Sequence, residues 1–197
     1  MRANRLEAFS DGVIAIIITI MVLELHVPAQ WSKPEIVKIL PTLLSYGLSF
    51  LLVAIYWVNH HHLIHLAQKV DARTLWANIN LLFWMSLIPW ATACLGKYHE
   101  MPLVVALYGA IASACSVSFH LLRLSIACHH RRDSRLVELH RRLFRKNLVA
   151  QAIYLISIPT AWVSIPVSLA LIMLPAVMYF LPDSRVELLQ PGGQETT

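Results

Sequence analysis

The sequence has few charged residues, few glycines and few cysteines, and each shortage excludes a class of protein. Charged residues make up 14% of the 197 positions and hydrophobic residues 57%, with a mean hydropathy of +0.61. A soluble domain of this size could not bury so much apolar surface in one core. The composition therefore excludes an ordinary soluble protein and indicates one that lies in a membrane.

Three cysteines are present, Cys94, Cys115 and Cys128, an odd number without CxxC spacing. They therefore predict neither a disulfide framework nor a cysteine-based zinc site. The six glycines form no phosphate-binding loop, and the chain has no nucleophile elbow. A TVGYG-like segment is also missing, which excludes a selectivity filter of backbone carbonyls. We expect no enzymatic activity and no bound cofactor.

Six apolar segments are long enough, or nearly so, to cross a bilayer as helices. They cover residues 7–26, 36–63, 73–95, 101–127, 144–163 and 165–181. The sequence thus predicts an all-α integral membrane protein with a six-helix domain over residues 1–181. Pro89, late in the third segment, is expected to kink or end that helix. Residues 182–197 are polar and are expected to form a disordered cytoplasmic tail.

The basic residues explain the net charge of +5 and set the orientation. They cluster at the N-terminus and in the second and fourth connections: Arg2, Arg5, Lys69, Arg73, Arg131, Arg132, Arg135, Arg141, Arg142, Arg145 and Lys146. The positive-inside rule then places both termini in the cytoplasm of a cell that carries the protein in its plasma or inner membrane. No aromatic platforms interleave these charges, so we expect no nucleic-acid partner. The first segment lacks a signal-peptide cleavage site and is expected to remain as the first membrane helix.

Histidines are numerous and raise the question of a metal site. Eight of the ten occur as His60-His61-His62, His65, His120, His129-His130 and His140. Three of them lie in the Arg-rich connection, which repels a dication, and no Glu-x-x-His pair occurs. The sequence therefore favours interfacial histidines over ligands, and we expect no metal.

The first segment carries a Ser10-Asp11 pair at the start of an otherwise aliphatic run. An ionisable residue at that depth is costly and is usually retained for function. Further along, Ile16, Ile20 and Leu23 recur at helical spacing and form one stripe. By itself this stripe fits either a pore lining or ordinary packing against lipid and neighbouring helices.

The motif Arg5-x-x-x-Phe9-Ser10-Asp11-Gly12, followed by an Ile-rich helix and Leu23-Glu24-Leu25, resembles the opening of the TMEM175 family of potassium channels. Further features follow in the family's order, namely Trp57-x-x-His60, Asp71, Asn78 and Pro89. Together they span residues 5–90, and the later helices match only as apolar spans. A single six-helix repeat is similar to the prokaryotic members, which assemble as homotetramers.

The resemblance implies a potassium-selective, leak-type channel with the first helix of four subunits lining the pore, and leaves proton permeation open. Ile16, Ile20 and Leu23 match the hydrophobic constriction, and Thr19 matches a polar position beside it. An apolar constriction offers no carbonyls to replace the water of an ion, so potassium, which holds water less tightly than sodium, crosses more easily. Glu24 is either an outer-mouth carboxylate that concentrates cations or an ordinary interfacial residue.

A second set of polar residues is expected to meet near the cytoplasmic side. It comprises Arg5, Ser10, Asp11, Trp57, His60 and Asn78. Buried polar groups need partners, and such a set satisfies them as one network that fixes the rotation of the first helix. The alternative is that Arg5 and His60 are solvated interface residues.

Two other functions remain as alternatives to a channel. A secondary transporter needs interrupted helices with polar groups at mid-membrane, whereas the first helix is aliphatic there. A membrane metalloenzyme needs the histidines as ligands. The expected partners are therefore three further copies of the chain, the lipid bilayer and potassium ions.

Overall fold

The computed structural model describes residues 3–28, 32–65, 67, 70–127 and 134–180, with backbone alone for 134–145 and 180. Within them the protein is all-helical, and the helices follow in the order α1 (Ala3–Leu23), α2 (Lys33–His65), α3 (Ala72–Ser86), α4 (Ile88–Lys97), α5 (Pro102–Ala127), α6 (Ser134–Thr160) and α7 (Ile165–Phe180). Helices α3 and α4 together form the third expected span. The prediction of an all-α protein with six helical segments is confirmed.

Among the described residues, four of these segments are long and apolar enough to cross a membrane, by length and composition: α1, α2, the α3–α4 pair and α5. Helix α7 is apolar but shorter. Helix α6 begins at Ser134, well before the expected start of the fifth span at residue 144. Hydropathy marks only the apolar part of a helix, whereas the strong helix formers Leu, Glu, Arg and Lys in this stretch extend it beyond that part.

The third span is broken where its sequence carries a proline. Asp71 caps the start of α3, because its Oδ1 accepts a hydrogen bond from the Thr74 amide at 2.8 Å. Helix α3 ends at Ser86, and Pro89 follows in the first turn of α4. Proline has no amide hydrogen to donate to the preceding turn, so the regular ladder stops here. The expected break at Pro89 is confirmed.

Helix α5 lies at the centre of the bundle and packs against α3, α4, α6 and α7. Helix α1 packs against α2, α3 and α4. Helices α2 and α4 approach closely at Gly96, where an added Cβ would lie 3.0 Å from the Thr42 Cα. Small residues allow such approaches between membrane helices. One face of α1 is thus covered by neighbours within the chain.

Several expectations fall outside the described residues. These are the basic residues Arg2, Lys69, Arg131 and Arg132, the histidines His129 and His130, Cys128 and the tail 182–197. The side chains of Arg135, His140, Arg141, Arg142 and Arg145 are likewise outside the description.

Candidate functional site on the first helix

One face of α1 is buried in the bundle. Leu6, Ser10, Ile14, Ile17 and Met21 are each at most 3% exposed. They follow each other at intervals of three or four residues, which is the spacing of one helical face. This face holds α1 against α2, α3 and α4.

The opposite face of α1 is aliphatic and uncovered in the single chain. Ile16 is 59% exposed, Ile20 43% and Leu23 77%. All three predicted constriction residues therefore lie on this face, as their spacing requires. The Thr19 hydroxyl is exposed beside them and donates to the Ile16 carbonyl at 2.9 Å, within its own helix. Glu24 lies half-buried just beyond the helix end.

A buried chain of hydrogen bonds joins α1, α2 and α3. The Ser10 hydroxyl donates to the Leu6 carbonyl at 2.9 Å and accepts from Asn78 Nδ2 at 2.9 Å. Asn78 Oδ1 lies 2.7 Å from His60 Nε2. Ser10, His60 and Asn78 are all fully buried. Three of the residues expected to meet are thus brought together.

The direction of the hydrogen bond from Asn78 to Ser10 fixes the tautomer of His60. Because the Asn78 amide nitrogen donates to Ser10, its oxygen accepts, and His60 Nε2 must carry the hydrogen. His60 Nδ1 is then the acceptor nitrogen, and among the described residues it has no hydrogen-bond partner. A neutral His60 satisfies this geometry.

Asp11 belongs to a separate contact at the surface. Its Oδ1 accepts from the Trp57 indole nitrogen at 2.9 Å, and Trp57 is 42% exposed. Arg5 is exposed, and among the described residues it forms no ion pair with Asp11. Arg5 and Asp11 are six residues apart, which separates them by about 120° around a helix. The expected single network of six residues is therefore corrected to two clusters, without Arg5.

A further polar cluster, not predicted from the sequence, lies nearer the C-terminal end of α1. The Ser49 and Tyr108 hydroxyls are 2.8 Å apart, and the Thr92 hydroxyl lies 2.6 Å from Ser49 and 2.7 Å from the Ile88 carbonyl. The sulfur of Met21 is 3.9 Å from Thr92. Serine and threonine are common in membrane helices, so no local pattern distinguished these residues.

Glu7 was likewise not predicted from the sequence as part of a site. Its Oε1 lies 2.9 Å from His61 Nδ1 and 3.3 Å from His65 Nε2. The expectation of no metal ligands relied on the Arg-rich setting of three histidines and on the absence of a Glu-x-x-His pair. Here the carboxylate comes from α1 and the imidazoles from α2, which only the packing of the two helices reveals.

Comparisons with known proteins agree on one family. Residues 5–89 match the family model described as endosomal/lysosomal potassium channel TMEM175. The chain is 41% identical to a potassium channel of a Chryseobacterium species over 95% of this chain and 97% of the relative. It is 30% identical to a potassium channel of Streptomyces collinus over 90% and 91% of the two chains.

An animal relative and a solved structure extend the comparison. The chain is 28% identical to the endosomal/lysosomal proton channel TMEM175 of Mus musculus, over 66% of this chain and 30% of the relative. It is also similar to the crystal structure of a lysosomal potassium-selective channel TMEM175 homolog from Chamaesiphon minutus. The TM-score is 0.78, with 26% identity over 91% of this chain and 96% of that chain.

Proposed function

The chain belongs to the TMEM175 family, and on that basis we propose that it is a potassium-selective, leak-type channel assembled from four copies of the chain. Each copy contributes α1 to a central pore, and potassium passes down its gradient. The bacterial relatives named potassium channels and the similarity to a potassium-selective channel support this function.

One observation of the structure carries the proposal, namely the uncovered aliphatic stripe of α1. Ile16, Ile20 and Leu23 are between 43% and 77% exposed, although the other face of the same helix is buried. In a closed ring of four copies these side chains would face each other across the axis. They would form a narrow apolar constriction.

Such a constriction selects between ions by the cost of removing water. Aliphatic side chains cannot replace the oxygens of a hydration shell, so the ion with the weaker shell passes more readily. Potassium is therefore favoured over sodium, to a moderate extent. A small rotation of α1 would close the pore, because a narrow apolar neck empties of water easily. Glu24 would raise the cation concentration at the outer mouth.

The proposed setting is the plasma or inner membrane, with residues 1–181 as the channel domain and residues 182–197 as a cytoplasmic tail. Both termini would be cytoplasmic. Reporter fusions near Asp71 should then report cytoplasm, and fusions near Ser32 and His99 the outside. The opposite labelling would contradict this orientation.

The proposal is tested with purified protein reconstituted in liposomes. Potassium flux down a gradient should exceed sodium flux, with protein-free liposomes as the control, and a proton gradient in the same vesicles measures proton permeation. Cross-linking in mild detergent should yield species up to a tetramer. Equal potassium and sodium fluxes, or a protein that stays monomeric, would overturn the proposal.

A secondary transporter, the alternative, would use an unwound helix at mid-membrane. The break between α3 and α4 does not supply one, since Leu87 keeps helical angles (φ −85°, ψ −12°) and its carbonyl accepts from the Ala91 amide at 3.0 Å. In the flux assay a transporter would require a counter-substrate, and a channel would not.

A further inference from the structure

Glu7, His61 and His65 form a compact cluster where α1 packs against α2. Their oxygen and nitrogen atoms lie within 4.8 Å of one another. The Glu7 side chain is only 15% exposed, whereas those of His61 and His65 are 40% and 60% exposed. A largely buried carboxylate thus meets two imidazoles that solvent can reach.

Helix geometry explains why the two imidazoles converge. His61 and His65 are four residues apart on α2, so they lie on the same face, and their ring centres are 4.4 Å apart. Trp57 lies one turn earlier, and its ring stacks on His61 with a centroid separation of 6.0 Å. This contact restricts the orientation of the His61 ring.

We propose that Glu7, His61 and His65 are the ligands of a Zn²⁺ ion that joins α1 to α2. Zinc binds nitrogen and carboxylate oxygen at about 2.0–2.2 Å, so ligand atoms in a tetrahedral site are about 3.4 Å apart. The Glu7 oxygen already lies 2.9 Å and 3.3 Å from the two nitrogens. The two nitrogens lie within 4.8 Å of each other, so the imidazoles need to approach by at most about 1.4 Å to reach the tetrahedral spacing. Water completes the fourth position.

The two imidazole nitrogens and the carboxylate oxygen favour zinc over potassium, magnesium and calcium. Two imidazole nitrogens and one carboxylate suit zinc and neighbouring transition metals, whereas potassium, magnesium and calcium prefer sites of oxygen alone. The cluster is therefore distinct in chemistry from the proposed permeation path.

The cluster is also distinct in position. Glu7 and Ile16 are nine residues apart, which places them about 180° apart around α1. A zinc ion at Glu7 would lie between α1 and α2 and outside a pore lined by the aliphatic stripe. The site would therefore exist whether or not the chain conducts potassium.

Zinc binding to the purified full-length protein tests the proposal, measured by competition with a chromophoric chelator. We expect a site with one Zn²⁺ per chain. Glu7→Gln, His61→Gln and His65→Gln should each weaken it at least about 100-fold. His62→Gln is the matched control, because His62 is an exposed histidine of the same run without a contact to Glu7. It should change the affinity by less than about threefold.

Two readouts protect the test against a variant that misfolds. His65 is mostly exposed, so His65→Gln should keep the elution volume and melting temperature of the parent protein without zinc. Zinc should raise the melting temperature of the parent and of His62→Gln, but not that of His65→Gln. Co²⁺ in place of zinc should give the visible absorption of a four-coordinate site. Unchanged zinc affinity in Glu7→Gln and His65→Gln would overturn the proposal and leave an ordinary Glu–His contact.

Discussion

In the half of α1 that ends at Asp11, polar side chains contact α2 and α3, whereas the half from Val13 to Leu23 packs through aliphatic side chains and Met21. Ser10 and Asp11 each bond a different neighbour. In the second half, one face is buried by Ile14 and Ile17 and the other is open. The difference suggests a division of labour: polar contacts set the rotation of α1, and that rotation decides which aliphatic face is left for the pore.

The largest expected effect comes from changing the two aliphatic faces in the same way. Ile17→Asn places an amide without a partner in a packed site and should lower the free energy of unfolding by about 3 kcal/mol or more. Ile16→Asn, on the open face, should change it by less than about 1 kcal/mol. Denaturant unfolding and the yield of folded protein measure both. Equal losses of unfolding free energy would mean that the two faces of α1 are packed to the same extent.

A smaller effect is expected from the buried cluster in the polar half. Asn78→Ala removes the donor to the Ser10 hydroxyl and the acceptor for His60 Nε2, and should cost about 1–3 kcal/mol. Since Ser10 and Asn78 are bonded, Ser10→Ala and Asn78→Ala together should cost less than their sum.

Asn80 provides the control for this double-mutant cycle of Ser10 and Asn78. It lies on the same helix but donates to Ser118 of α5 at 2.7 Å. Ser10→Ala and Asn80→Ala should therefore add to within about 0.5 kcal/mol. If this pair couples as strongly as Ser10 and Asn78 do, the cycle reports general loosening of the bundle instead of the hydrogen bond.

The smallest effect is expected at Asp11. Its bond to Trp57 is partly exposed, so Asp11→Ala and Trp57→Phe should couple by about 0.5–1.5 kcal/mol. Coupling between Asp11→Ala and Asn78→Ala should be weaker, because the structure assigns them to different clusters. Equal coupling in unfolding measurements would restore the single network that the sequence suggested.

The sequence predicted what depends on local pattern. Hydropathy located the six helical segments, and Pro89 indicated the break between α3 and α4. Helical spacing placed Ile16, Ile20 and Leu23 on one face. Each of these features is encoded within a few turns of chain.

Contacts between residues far apart in the sequence were harder to predict. Glu7 contacts His61 because α1 packs against α2, and Thr92 contacts Ser49 because α4 packs against α2. Neither pair has a local signature. Arg5 shows the opposite error. It was expected to join the polar network with Asp11, a contact that the rotation between the two residues around the helix does not favour.

The central claim is that the open face of α1 lines the permeation path, and ion selectivity tests it most directly. Potassium and sodium fluxes should be measured in liposomes for Ile16→Asn, Ile20→Asn and Leu23→Asn, with Leu148→Asn as a control at an exposed aliphatic position of α6. Wetting the constriction should raise flux and move the potassium-to-sodium ratio towards one in the α1 variants, and leave Leu148→Asn unchanged. If all three α1 variants kept the potassium-to-sodium flux ratio of the parent protein, this result would contradict the claim.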